Sequence, residues 1–88
     1  PTPHNPALML DWHRFSSDTC VAFVRMQADL LRERTPDIPV TTNLRALSRL
    51  FDQFDLADAL DFVSMDSNAT TRHRAAENAM DIDLIRSL

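Results

Sequence analysis

Two short apolar segments separated by helical sequence constrain the fold of this chain more than any other feature. The first, at residues 39–44, reads PVTTNL, and the second, at 61–66, reads DFVSMD; both are rich in the β-branched or aromatic residues typical of strands. Strands connected through a helix pair in parallel, with a right-handed crossover. A parallel sheet of two strands is not stable alone, because its faces and edges need cover. The sequence therefore predicts an α/β fold that is part of a larger structure.

The clearest predicted helix covers residues 17–34. The Ser-Ser-Asp sequence that begins at Ser16 offers residues to cap its start, and Pro36 follows its end. One half of its helical wheel is apolar, which predicts a helix that lies with one side on an apolar surface. This apolar half consists of Cys20, Val21, Phe23, Val24, Ala28, Leu30 and Leu31.

Two further helices complete the predicted order α-β-α-β-α. One lies at about 52–60, with Asp52 or Asp55 as its N-cap, and the other at 74–88. Residues 1–16 carry three prolines in their first six positions and are predicted as an extended lead-in without regular structure.

The composition is that of one small globular domain. Of the 88 residues, 44% are hydrophobic and 25% are charged, with a net charge of −4, which argues against nucleic acid as a partner. The absence of glycine excludes glycine-rich phosphate loops, and the one cysteine excludes an internal disulfide and fits a reducing compartment. No run is long enough to span a membrane and nothing resembles a signal peptide. We therefore expect a cytoplasmic protein that has no membrane partner and needs no cofactor.

Few side chains are candidates for catalysis or metal binding. Glu33 lies on the polar half of the first helix, and Glu77 follows His73 by one helical turn, which is typical of a surface pair. The histidines are scattered, so no zinc motif is present. Four aspartates recur at every third position but lack the glycine and glutamate of an EF-hand loop, so capping or a solvated face is predicted for Asp52, Asp55, Asp58 and Asp61. We predict no catalytic and no metal-binding residue in this chain.

Polar residues at the ends of both predicted strands are harder to explain as core. Asn43 follows two threonines at the end of the first strand, and Asp66 ends the second. Asparagine and aspartate commonly bond the backbone of the loop that follows, so a purely structural role is one interpretation. The other is that these side chains form part of a binding site.

Five motifs, in order along the chain, resemble glycoside hydrolase family 42, the β-galactosidases. They are Asn-Pro-x-Leu at Asn5, Arg-Phe-x-Ser-Asp at Arg14, Thr-Pro-x-x-Pro-Val-Thr-Thr-Asn at Thr35, Asp-x-Val-Ser-x-Asp at Asp61 and Asp-Leu-x-Arg-Ser-Leu at Asp83. The resemblance covers nearly the whole chain and is weakest at residues 45–54.

This resemblance implies an internal slice of a TIM (β/α)8 barrel that contains its fifth and sixth strands. The acid/base and nucleophile glutamates of the family follow strands four and seven, so both would lie outside this slice, which would be inactive by itself. Barrel active sites lie at the carboxyl ends of the strands, which implies that Asn43, Asp66 and Asn68 bind a carbohydrate substrate. Many relatives have Asp-x-Tyr-Pro after the sixth strand; here the sequence that begins at Asp66 is Asp-Ser-Asn-Ala, without the aromatic ring.

A different class of protein also fits the sequence. The chain would then be a small acidic helical module that binds a partner through the apolar half of residues 17–34, with both strand-like segments irregular. For the barrel slice we expect self-association, through uncovered strand edges if the slice stands alone or as a homo-oligomer of the parent enzyme, whereas a monomer with cooperative melting would favour the helical module.

Overall fold

The first helix, α1, spans Pro6–Arg34 in the computed structural model, which describes residues 5–45, 48–67 and 75–88. Asn5 is its N-cap, and its side-chain oxygen accepts a hydrogen bond from the backbone N–H of Ala7 at 2.9 Å. The extended lead-in predicted for residues 1–16 is therefore wrong from Pro6 onwards, and the predicted cap near Ser16 lies inside the helix. The physical reason is that proline is favourable at the first helical position, where its missing N–H costs no hydrogen bond. Residues 1–4 lie outside the described residues.

Helix α1 is joined to the segment before α2 by a hydrogen bond at Ser17. The Ser17 hydroxyl accepts a hydrogen bond from the backbone N–H of Asp52 at 2.6 Å. Further along, Val21 and Ala28 are buried, as the apolar half predicts. Other members of that half, such as Phe23, are about half exposed, so the described chain covers only part of the apolar surface.

Two strands, β1 (Asn43–Leu44) and β2 (Ser64–Met65), form a parallel pair. Asn43 is opposite Ser64, and Leu44 is opposite Met65. The predicted parallel pairing is confirmed, and with it an α/β arrangement of the described residues. Both strands are shorter than the predicted ranges 39–44 and 61–66. The idea that both segments are irregular, which the helical-module alternative requires, is wrong.

Two shorter helices follow the strands. Helix α2 spans Gln53–Ala57 and begins at Asp52, whose side chain accepts hydrogen bonds from the next helical N–H groups. Asp52 is therefore the N-cap, one of the two residues predicted for this role, although α2 ends before residue 60. Helix α3 spans Ala75–Arg86, whereas the prediction extended it to residue 88. In the part of the chain that the structure describes, no helix combines the length and apolar character needed to cross a membrane.

The core lies between the helices and one face of the strand pair. Leu44 is fully buried and Leu56 of α2 is 2% exposed, and both pack with Val21 of α1 and Ile85 of α3. Each helix thus contributes one buried residue to the cluster around β1. This arrangement fixes the helices on a single side of the strands and leaves the other side for polar groups.

At their amino-terminal ends the strands are linked by the carboxylate of Asp61. Its Oδ2 accepts a hydrogen bond from the backbone N–H of Val40 at 2.7 Å, and its Oδ1 accepts one from Arg32 Nη2 at 3.0 Å. The Asp61 N–H donates in turn to the Val40 carbonyl at 2.9 Å, and Arg32 also donates to the Ala59 carbonyl at 3.0 Å. One aspartate therefore connects the end of α1 and the starts of both strand segments. We call this group of Arg32, Val40 and Asp61 the register clamp.

The register clamp predicts a pH-dependent contribution to stability. The Val40 N–H and the Arg32 guanidinium hold the pKa of the Asp61 carboxyl below its ordinary value of 3.8. Since the folded-state pKa is the lower one, the stabilisation is fully present above the ordinary value and is lost as the pH falls through the folded-state pKa. In the full-length protein, we expect Asp61→Asn to lower the melting temperature most at neutral pH, and the gap to the wild type to narrow in acid.

Asp29→Asn is the matched control for this measurement. Asp29 also pairs with Arg32, at 3.7 Å, but its side chain is 78% exposed. Exposed pairs contribute little to stability, so the control is expected to melt close to the wild type at every pH. A difference between the wild type and Asp61→Asn that stays constant across the acid range would contradict a role for the charge.

Candidate functional site

The two strands separate apolar from polar side chains. Leu44, Val63 and Met65 face the helices and belong to the core or pack against it. Because side chains alternate along a strand, Asn43 and Ser64 lie on the opposite face, and they are opposite each other in the parallel register. Asn43 is exposed on this polar face, and Ser64 is half-buried. In a barrel, the face of a strand that points away from the helices is the interior face.

Hydroxyl groups connect the strands across the polar face. Thr41 Oγ1 donates to the Phe62 carbonyl at 2.8 Å, and Ser64 Oγ donates to the Thr42 carbonyl at 2.9 Å. The two hydroxyl oxygens are 3.1 Å apart. Each strand segment thus binds a backbone carbonyl of the other through a side chain, which extends the pairing on the amino-terminal side of the short ladder of backbone bonds.

Asn43 and Asp66 are predicted as site residues; in the structure Asn43 is the first of the two residues of β1, and Asp66 directly follows β2. Both are exposed. Ser64 Oγ is 3.5 Å from Asn43 Oδ1, and the backbone N–H of Asp66 donates to the Leu44 carbonyl at 3.4 Å. The structure therefore brings these two residues to the same edge of the sheet. Among the described residues, no hydrogen bond joins their side chains.

The segment after β2 is described only in part. Asn68, the third predicted site residue, lies outside the described residues. Just before it, Ser67 Oγ donates to Asn78 Oδ1 of α3 at 3.0 Å, so the described beginning of this segment is fixed to the helix that follows it.

Three of the four recurring aspartates have structural partners for their side chains. Asp52 caps α2, and Asp61 belongs to the register clamp. Asp58 pairs with Arg25 of α1 at 3.1 Å. No cluster of side chains suited to hold a metal ion occurs within residues 5–45, 48–67 and 75–88. Glu33 and Glu77 are exposed on α1 and α3, on separate elements. The described residues thus contain no pair of neighbouring glutamates.

Ser64 and Thr41, whose hydroxyls bridge the strands, are not among the site residues predicted from the sequence. The alternation of side chains along both segments was the signal that could have found them. Apolar Val40 and Leu44 lie two positions on either side of Thr42, and Val63 and Met65 flank Ser64. Thr41, Asn43 and Ser64 alternate with these apolar positions and therefore share the other face of the sheet.

These features together define part of an α/β protein in which polar side chains gather at the carboxyl ends of adjoining parallel strands, the usual place for a ligand in such folds. The chain belongs to glycoside hydrolase family 42. The model of this family, described as beta-galactosidase, matches residues 1–88.

Curated relatives from several bacteria are similar to this chain. The β-galactosidase bgaB of Geobacillus kaustophilus is 38% identical over 89 residues, which is 100% of this chain and 13% of the relative. BgaA of Clostridium cellulovorans is 34% identical over 96% of this chain and 14% of its own length. A β-galactosidase of Thermus thermophilus is 44% identical over 72% of this chain and 10% of its own length. This chain therefore spans between a tenth and a seventh of these relatives. No solved structure gave a significant match.

Proposed function

We propose that this chain is an internal part of the (β/α)8 barrel of a retaining β-galactosidase. Family membership supports the reaction class, since the relatives that it matches are named β-galactosidases. The observation that carries the proposal is the parallel pair β1–β2, with its apolar face on the helices and its polar face away from them. Consecutive strands of a barrel are likewise parallel, are each joined to the next by an outer helix, and pack one face against those helices.

In this proposal the chain shapes the sugar pocket and other parts of the protein supply the catalytic carboxylates. A retaining glycosidase needs two carboxyl groups about 5 Å apart, one as nucleophile and one as acid/base. Glu33 and Glu77 are on different helices and do not form such a pair. The amide of Asn43, the carboxylate of Asp66 and the amide of Asn68 are the groups that we propose to meet sugar hydroxyls. Amides donate and accept hydrogen bonds and carboxylates accept them, which suits hydroxyl recognition.

The proposal is tested by comparing the isolated 88 residues with the full-length enzyme on a nitrophenyl β-galactoside. We expect the full-length enzyme to release nitrophenol and the isolated chain to stay at the rate of the buffer. The physical reason is that neither the nucleophile nor the acid/base is present in the isolated chain, so the two-step displacement cannot begin.

Two results would contradict the proposal. One is turnover by the purified 88 residues that disappears when Glu33 or Glu77 is changed to glutamine. The other is a full-length enzyme that releases its sugar product with inverted anomeric configuration. NMR of the first products released measures this configuration. Glu33→Gln and Glu77→Gln in the full-length enzyme serve as controls and are expected to retain full activity.

A further inference from the structure

We propose that Asn78 of α3 is a positioning residue, which binds Ser67 and thereby holds the side chain of Asp66 on the polar face of the strands. This inference rests on the proposed function, because Asp66 is one of the residues proposed to meet the sugar. The effect of Asn78 on catalysis passes through Ser67 and the backbone that joins it to Asp66.

Asp66 lies between two residues that are anchored on the helix side of the strands. Met65, which precedes it, packs against the core cluster. Ser67, which follows it, donates from Oγ to Asn78 Oδ1 of α3 at 3.0 Å. Successive side chains along a strand point to opposite sides. With both of its neighbours held on the helix side, the Asp66 side chain is directed to the polar face.

The backbone of Asp66 also contacts the neighbouring strand. Its N–H donates to the Leu44 carbonyl at 3.4 Å, which continues the parallel pairing one residue beyond the end of β2. A hydrogen bond of this length is weak. The side chain of Asp66 is exposed, so its direction depends on how firmly its two neighbours are anchored.

The two anchors differ in what their loss would change. Met65 packs with the core, so its replacement would disturb the fold as well as the strand end. The bond from Ser67 to Asn78 joins an exposed side chain to a half-buried one outside the core cluster. Its loss is therefore the change that acts mainly on the direction of Asp66. One neutral hydrogen bond corresponds to about 2- to 10-fold in an equilibrium constant, which sets the expected size of the effect.

Kinetics of the full-length enzyme on a nitrophenyl β-galactoside test this inference. We expect Asn78→Ala to lower kcat/KM about 2- to 10-fold, mainly by raising KM, because the released strand end must then be ordered when the sugar binds. Ser67→Ala removes the other half of the same bond and is expected to give a similar loss, with no further loss in the double variant. Ser67→Thr keeps the hydroxyl and is expected to stay within about 2-fold of the wild type.

A double-mutant cycle with Asp66 tests whether Asn78 acts through this residue. Asp66→Ala alone is expected to lower kcat/KM about 5- to 150-fold. In the Asp66→Ala background, Asn78→Ala is expected to change kcat/KM by less than about 2-fold, because the side chain that it positions is already absent.

The melting temperature of each variant distinguishes a positioning role from a structural one. Alanine is a better helix former than asparagine, so Asn78→Ala is expected to fold. Ser87→Ala is the matched control at the other end of α3, where the Ser87 hydroxyl donates to the Leu84 carbonyl at 2.6 Å. This control is expected to leave kcat/KM unchanged.

The outcomes separate this inference from the proposed function. If Asp66→Ala leaves kcat/KM unchanged, both the pocket role of Asp66 and the positioning role of Asn78 are wrong. If Asp66→Ala lowers kcat/KM but Asn78→Ala costs the same factor with and without Asp66, only the positioning role is overturned. A lower melting temperature with unchanged kcat/KM in Asn78→Ala would also overturn it, since the bond to Ser67 would then be structural only.

Discussion

Replacing Leu44 with alanine is expected to lower the free energy of unfolding of the full-length protein by about 2–5 kcal/mol. Leu44 is fully buried and contacts residues from all three helices of the described chain through the cluster with Val21, Leu56 and Ile85. Removing its side chain loses the transfer free energy of the apolar atoms and leaves a cavity at a point where separate elements meet. Denaturant unfolding of the wild type and the variant measures the difference.

The neighbouring residue on β1 provides the control for this change. Asn43 is one position away but lies on the polar face and is exposed. We expect Asn43→Ala to change the free energy of unfolding by less than about 0.5 kcal/mol, as for other exposed positions. Well below its melting temperature, Leu44→Ala is expected to keep kcat/KM within about 2-fold of the wild type. A small stability loss in Leu44→Ala would mean that β1 does not lie in the core of the whole protein.

The second large effect is expected at the strand ends, in catalysis rather than in stability. Asn43→Ala in the full-length enzyme removes a donor and an acceptor from the proposed sugar pocket, which in a barrel lies at the carboxyl ends of the strands. If these groups bind a sugar hydroxyl in the transition state, the loss is about 1–3 kcal/mol, or roughly 5- to 150-fold in kcat/KM. Steady-state kinetics on a galactoside, with the melting temperature measured beside them, check this expectation.

Asp66→Asn separates charge from shape at the second strand end. Asparagine has nearly the shape of aspartate but no negative charge, so lower kcat/KM in this variant would assign an electrostatic role to Asp66. Activity equal to that of the wild type would mean that Asp66 acts only through hydrogen bonding. Unchanged kcat/KM in both Asn43→Ala and Asp66→Asn, together with lower melting temperatures, would show that these residues only support the structure.

The sequence was sufficient for features that depend on local chemistry or on connection lengths. Asp52 was predicted as a possible N-cap because its carboxylate can bind the next N–H groups, and it does so. The parallel pairing followed from the helical sequence between the strands, since a hairpin would need only a short turn. The predicted start of α1 is too late because prolines usually break helices. Pro6, however, lies in the first turn of α1, where proline is favourable.

The polar contacts across the strands could not be predicted, because they depend on the register. Shifting β2 by one residue would move Ser64 to the helical face and separate it from Asn43. Nothing in the sequence distinguishes Asp61 from the other recurring aspartates as the residue that links the strands. Its role depends on Arg32, which is distant along the chain and is brought close only by the packing of α1.

The register clamp lies at the starts of the strands, whereas the proposed sugar contacts lie at their other ends. Selection can therefore act on the two ends separately. Substitutions at the carboxyl ends of the strands do not change the Asp61 carboxylate, which aligns the two strand segments. The pocket residues can therefore change while the strand pairing is kept. A lineage that changes its preferred sugar by this route would conserve Arg32 and Asp61 more strictly than the residues that touch the substrate.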